Sequence, residues 1–67
     1  MNDIKQFSES LEKLVDKHGL YAVISELSNI CFEKKEHVLT NWQDEGLAEL
    51  WEFDRKLLDK TSIKIKN

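Results

Sequence analysis

The chain has 67 residues, of which 34% are charged, and its net charge is −3. This length leaves room for a single domain. The acidic balance disfavours nonspecific binding of nucleic acid, which depends on a basic surface that neutralises phosphates. No apolar run approaches the roughly 20 residues that a membrane span needs, and the opening MNDIKQ lacks the apolar stretch of a signal peptide. We therefore expect a cytoplasmic protein that binds neither membrane nor nucleic acid.

A chain of this size has few ways to become stable, because core burial and chain entropy nearly cancel. Cys31 is the single cysteine and cannot form an internal disulfide, and no Cys and His cluster offers a structural zinc. We expect no cofactor. Well-packed helices and self-association remain as sources of stability, and we expect both.

The first helix is predicted over residues 3–18. Asp3 with Gln6 forms a capping-box spacing, and Asn2 is an alternative cap. Apolar side chains recur at intervals of three and four along one narrow stripe: Ile4, Phe7, Leu11, Leu14, Val15 and His18. Gly19 is predicted to end the helix in a Schellman motif, and His18 to interact with the helix dipole in the last turn.

The second helix is predicted over residues 20–41, in an antiparallel hairpin with the first. Its main apolar face contains Leu20, Val23, Ile24, Leu27, Ile30, Cys31 and Val38. A second apolar line beside it contains Tyr21, Phe32 and Leu39. Such a wide apolar arc indicates burial on more than one side. Asn41 is predicted to take the left-handed conformation after the helix, with Trp42 folded back over His37 or Glu36.

The third helix is predicted over residues 44–60 with Asp44 as its N-cap. One continuous helix through Gly46 is the alternative, since glycine inside a helix costs only about 1 kcal/mol. Its apolar face is predicted to contain Leu47, Leu50, Trp51, Leu57 and Leu58. Residues 61–67 are expected to form a flexible basic tail. The fold class is thus an all-α three-helix bundle, a helical hairpin plus a third helix, that self-associates.

Two charges interrupt the apolar faces, Lys34 on the second helix and Asp54 on the third. Buried charges are costly unless they are paired. An antiparallel pairing about residues 42–43 brings Lys34 near Trp51 and Asp54 near Cys31. We therefore predict an ion pair between Asp54 and Lys34 or Lys35.

Carboxylates near the link between the second and third helices suggest a metal site. Glu33 and His37 lie one helical turn apart, the spacing that allows a carboxylate and an imidazole to share a metal. The full candidate set is Glu33, Glu36, His37, Glu49 and Glu52. The set contains two ExxE pairs, Glu33 with Glu36 and Glu49 with Glu52. These pairs resemble those with which all-α nucleotide pyrophosphohydrolases hold magnesium, although those enzymes end the second pair with Asp and are longer. The competing interpretation is a solvated helix surface, where such pairs are common.

Aromatic residues suggest a protein-binding surface instead. Tryptophan and tyrosine are enriched in interface hot spots. Three helices do not easily cover both apolar lines of the second helix, so Tyr21, Phe32, Leu39 and Trp42 are predicted to bind a partner. Trp51 is assigned to the core, as is Cys31. No Ser, His and Asp set or Cys and His set indicates a nucleophile, so we expect no enzyme.

The runs HGLYAVISELSNICFEKKEH and NWQDEGLAELWE resemble a family of short, uncharacterised bacterial and phage-like helical proteins. The resemblance spans about residues 15–52. It implies that His18, Gly19, Asn41, Trp42, Gln43 and Asp44 are the signature, and it implies no activity.

The function expected from the sequence is a non-enzymatic protein interaction module of the adaptor or inhibitor type. It is expected to be a homodimer through Phe32 and Leu39 that occludes or bridges a partner. A small DNA-associated regulator is one alternative, although an acidic third helix does not suit a DNA groove. A magnesium-dependent nucleotide hydrolase at the ExxE pairs is the other.

Overall fold

The computed structural model describes residues 3–67 and contains three helices: α1 Asp3–His18, α2 Leu20–Trp42 and α3 Glu45–Ser62. The all-α class with three helices is confirmed. The predicted boundaries agree to within two residues, and Asn2, the alternative cap of α1, lies outside the described residues. The alternative of one helix running through Gly46 is wrong, because α2 and α3 are separate helices.

Gly19 alone links α1 to α2. Its φ is +88° and its ψ 153°, a backbone region that is essentially restricted to glycine. Its N–H donates to the carbonyl of Val15 at 2.7 Å, but its ψ lies outside the left-handed helical region, so the predicted Schellman motif is wrong. Gly19 was still correctly predicted as the helix-ending residue, and a positive φ is the reason for glycine at this position.

The turn between α2 and α3 differs from the prediction. Gln43, not Asn41, adopts the left-handed conformation, with φ 52° and ψ 34°. Asn41 is still helical, and its side-chain amide contacts His37 Nδ1 at 2.9 Å. Trp42 is 72% exposed at the helix end, so it does not fold back as predicted. Asp44 is the predicted N-cap of α3, since its Oδ1 accepts the N–H of Leu47 at 3.0 Å.

Small residues bring α2 and α3 together. On α2 the buried residues are Ser28, Cys31 and Val38, and on α3 they are Ala48 and Ser62. Along α3 the packed stripe is Ala48, Trp51, Arg55, Leu58 and Ser62. Of the predicted face, Trp51 and Leu58 lie on this stripe, whereas Leu47, Leu50 and Leu57 are exposed. The helix is turned away from these three leucines, because the small side chains of Ala48 and Ser62 allow the two backbones to approach closely.

The register of α2 and α3 matches the predicted antiparallel pairing, but the predicted ion pair is wrong. Asp54 and Lys34 are both exposed, and within residues 3–67 neither forms a salt bridge. Lys35 Nζ and Glu52 Oε1 pair instead at 3.2 Å. Since neighbouring helical residues point about 100° apart, the rotation of α3 directs Glu52 and not Asp54 at α2.

Helix α1 packs against α2 and makes no contact with α3 over the described residues. The first half of α1 projects from the molecule, with Ile4 83% and Phe7 65% exposed. The Cα extents are 37 × 34 × 14 Å, which corresponds to a single layer of helices. Within the described residues no large side chain is fully buried. The three helices of one chain therefore do not enclose a common core.

The last residues turn back towards the start of α2. Helix α3 continues to Ser62, so residues 61 and 62, predicted as tail, are helical. Lys64 N–H donates to Thr61 O and Ile65 N–H to Ser62 O, which makes a turn. The carbonyl of Asn67 then accepts the N–H of Tyr21 at 3.0 Å and satisfies one of the free donors at the N-terminus of α2. Flexibility of the tail stays a prediction.

Candidate interaction surfaces

The predicted partner-binding residues on α2 are all exposed. Tyr21 is 50%, Phe32 46%, Leu39 37% and Trp42 72% exposed. Tyr21, Phe32 and Leu39 lie along one side of α2, because their separations of 11 and 7 residues are close to whole turns. We call these three residues the aromatic line. Neither α1 nor α3 covers it, so it is accessible as the sequence predicted.

Charged residues border the aromatic line. Lys35 Nζ lies 4.9 Å from the centroid of the Phe32 ring, a distance that permits a cation–π interaction. Leu39 borders a shallow depression of about 300 Å³, which is also lined by Ala48 and the carboxylates Glu45, Glu49 and Glu52. The line is thus narrow and has a polar margin, as the rim of a protein interface commonly does.

A larger apolar surface lies between α1 and α2. A groove of about 630 Å³ opens between the second half of α1 and the first half of α2. Its lining includes Leu11, Leu14, Tyr21, Leu27 and Ile30. We call this concavity the α1–α2 groove. At about 30 Å³ per water molecule, it would hold roughly 20 waters against mainly apolar walls. An apolar concavity of this size is typical of a binding surface.

The sequence prediction did not include the α1–α2 groove. The signal was present, because Ile4, Phe7, Leu11, Leu14 and His18 follow each other at intervals of three, four, three and four. This is the strict a and d spacing of a coiled-coil seam, which is narrower than the face of a core-packed helix. The sequence predicted one narrow apolar stripe close to a coiled-coil seam, and the first half of this stripe is largely exposed.

A polar network crosses the α2–α3 seam. Arg55 binds Glu52 through Nη2 at 2.6 Å and Nε at 2.9 Å, and it binds Asp59 through Nη1 at 2.8 Å. The hydroxyl of Ser28 donates to the Asp59 carboxylate, and Lys35 joins Glu52. The network connects Ser28 and Lys35 of α2 to Asp59 and Glu52 of α3, so it favours this register of the two helices.

Glu52 is the carboxylate most affected by this network. Hydrogen bonds from Arg55, and then from Lys35, lower its pKa from the usual 4.5 to about 2, although partial desolvation acts in the opposite direction. Glu52 therefore remains ionised at neutral pH with its oxygens already occupied by cations. A carboxylate in this state is engaged in structure rather than available for a metal.

The candidate metal residues do not form a site. Within residues 3–67, no three His, Cys, Asp or Glu side chains come together in a way that could hold a metal ion. Glu52 is paired with Arg55, and His37 is engaged by Asn41. Glu33, Glu36 and Glu49 are exposed on helix surfaces. The metal hypothesis drawn from Glu33, Glu36, His37, Glu49 and Glu52 thus finds no support in the geometry.

The thiol of Cys31 is buried between α2 and α3. Desolvation raises its pKa, and the nearby Asp54 carboxylate raises it further. The thiolate is the reactive form of cysteine, so this environment suppresses reactivity. Cys31 behaves as the small core residue that the sequence predicted.

Comparison with protein-family models finds no match, and comparisons with the curated proteins and with the solved structures find no significant similarity. The resemblance to short bacterial and phage-like proteins with the HGL and NWQD patterns stays a prediction. Over the described residues, no helix is both long enough and apolar enough to cross a membrane.

Proposed function

We propose that this protein is a non-enzymatic protein interaction module that acts as a homodimer. The observation that supports it most is the amount of surface that one chain leaves exposed. The accessible surface is 5705 Å². A compact monomer of 7.9 kDa is expected to expose about 4400 Å². The chain therefore exposes about 1300 Å² more than a compact fold of its mass.

The size of this excess supports a dimer of the obligate kind. Such interfaces bury upwards of about 2000 Å² in total, or about 1000 Å² from each subunit. The radius of gyration points in the same direction, at 14.1 Å against about 11 Å for a compact chain of this length. The chain has a single cysteine, and within residues 3–67 no three metal-ligating side chains come together, so a second subunit would supply the missing core.

The aromatic line can serve this module in two ways. It can form the dimer contact through Phe32 and Leu39, as the sequence suggested, or it can bind a different protein while the dimer forms elsewhere. Neither alternative function gains support from the geometry: α3 presents Glu45, Glu49 and Asp54 to solvent, which does not suit DNA, and the ExxE pairs are not assembled for magnesium.

Light scattering coupled to size exclusion tests the proposal. We expect twice the 7.9 kDa chain mass for the wild type at micromolar concentration. The double variant Phe32→Glu with Leu39→Glu separates the two roles of the aromatic line. A folded monomer assigns the line to self-association, whereas a dimer leaves it free for another partner. A wild type that is monomeric at every concentration tested would refute the homodimer.

A further inference from the structure

We propose that the α1–α2 groove is filled by the projecting half of α1 from a second copy of this chain, reciprocally, in an antiparallel α1–α1 pair. This inference rests on the homodimer proposed above and names the surface through which it forms. The chain offers both halves of the contact. Ile4 and Phe7 are 83% and 65% exposed, and Leu11 and Leu14 of the same helix line the groove.

The dimensions of α1 suit this exchange. Its 16 residues span about 24 Å, and the projecting and groove-lining halves each take about half of that length. When two copies of α1 run antiparallel about a two-fold axis near residue 9, Ile4 lies opposite Leu14 of the second copy and Phe7 opposite Leu11. Four apolar layers result, with a and d positions alternating between the helices as in an antiparallel coiled coil.

The charges beside the seam are complementary in this orientation. Asp3 and Lys17 occupy the same flank of α1, at g positions two heptads apart, and both are exposed. In the antiparallel pair Asp3 lies within about two residues of the level of Lys17 of the second copy, and the symmetry repeats this contact. In a parallel pair a g position faces an e position of the second copy, so Asp3 would lie near Ser8 and both Asp3 and Lys17 would lack an opposite charge across the seam. The charge pattern therefore selects the antiparallel, two-fold arrangement.

The other flank of the seam is suited to closer packing. It carries Ser8 and Val15, and Val15 is half-buried towards the α2 side of the molecule. The inserted helix would contact α1 on one side and Tyr21, Ala22 and Ile30 of α2 on the other. Two α1 and two α2 helices would then form one shared apolar core. A single chain exposes about 1300 Å² more than a compact fold of its mass. A shared core of this kind would bury a surface of about that size.

Phe7→Glu is the first test, with Phe53→Glu as its matched control. Phe7 is 65% and Phe53 62% exposed in the single chain, so neither substitution disturbs the packing within a chain. Phe53 lies on α3, away from the groove. We expect Phe7→Glu to raise the dimer dissociation constant at least 100-fold, while Phe53→Glu stays dimeric. Equal effects, or a dimer retained by Phe7→Glu, would overturn the inference.

A charge exchange keeps the inference testable if Phe7→Glu does not fold. Asp3→Lys sets two cations opposite each other at both ends of the pair, and we expect about 5- to 10-fold weaker dimerisation at low salt. Asp3→Lys combined with Lys17→Asp restores the pairs and should recover the wild-type constant to within about twofold, although both charges then oppose the helix dipole. Glu9→Lys, which changes the charge equally on the outer face, is the control and should leave dimerisation unchanged.

These outcomes separate the inference from the function on which it rests. A dimeric wild type that becomes monomeric with Phe32→Glu and Leu39→Glu, but not with Phe7→Glu, would keep the homodimer and refute the groove as its interface. A dimer that is unaffected by the Phe32→Glu with Leu39→Glu variant and by Phe7→Glu would also refute the groove as the interface. If Asp3→Lys combined with Lys17→Asp does not recover the wild-type dissociation constant, the antiparallel orientation is excluded.

Discussion

The two glycines should respond to alanine in opposite directions. At Gly19 the backbone lies at φ +88° and ψ 153°, and a non-glycine residue in such a region costs about 1–3 kcal/mol. A Cβ there would also lie 3.0 Å from the carbonyl oxygen of Asn67. At Gly46, inside α3, a Cβ would meet only Asp44 Oδ1 at 3.6 Å, an ordinary contact. Alanine there removes the entropic cost of glycine in a helix, about 0.5–1 kcal/mol.

Thermal unfolding followed by far-UV circular dichroism, at one fixed protein concentration, measures both effects. For a domain of this size 1 kcal/mol shifts Tm by about 4–8 °C. We expect Gly19→Ala to lower Tm by at least 4 °C and Gly46→Ala to raise it by about 2–8 °C. Fixing the concentration matters because the Tm of a dimer depends on it.

Gly19→Asn sharpens the test. Asparagine tolerates the left-handed helical region but not the region with ψ near 150°. We therefore expect Gly19→Asn to be as destabilising as Gly19→Ala. A Tm unchanged in Gly19→Ala, or recovered in Gly19→Asn, would refute the assignment of glycine to this backbone conformation.

Three further predictions concern α2 and α3. Gln43→Gly should raise Tm by several degrees in the same assay, because a non-glycine residue in the left-handed region costs about 1–2 kcal/mol; a lower Tm would contradict this. Asp44→Ala should cost about 0.5–2 kcal/mol in chemical denaturation by removing the cap of α3, while Asp44→Ser, which can also cap, should cost less. Because the pKa of Glu52 is lower in the folded chain than in the unfolded one, its contribution to stability is present above pH 4.5 and is lost as the pH falls towards 2. Glu52→Gln should therefore reduce the fall in Tm over that range, and an unchanged pH profile would show that the Arg55 and Lys35 contacts do not act on stability.

Local sequence signals predicted the helix ends well where one residue type has a specific backbone or capping role. Gly19 and Asp44 were identified for this reason. Asn41 was not, because the left-handed position fell on Gln43, a residue type with little preference for it. Propensity ranks residue types, but it does not fix the terminal residue of a helix to better than one or two positions.

The predicted pairings failed where they depended on the rotation of a helix. Asp54 and Lys34 were expected to meet, and Glu52 and Lys35 meet instead. The register of α2 and α3 was predicted correctly, but the rotation of α3 about its own axis was not. Hydrophobicity favoured the leucine-rich face of α3, whereas close approach of α2 and α3 uses Ser28, Ala48 and Ser62. Sequence periodicity does not distinguish a face that packs within a chain from one that is left for a second chain.

Three amphipathic helices, a glycine between α1 and α2 and a capped turn at Asp44 are predictable from local sequence. These features depend on residues close together in the chain, on backbone conformation and on periodicity. Which apolar stripes pack against another helix depends on how the helices are arranged in space. Over the described residues helix α1 packs against α2 and not against α3, so Ile4 and Phe7 remain exposed and the α1–α2 groove stays open. The physical reason is that burial is a property of pairs of surfaces, and the sequence of one helix describes only one of the two.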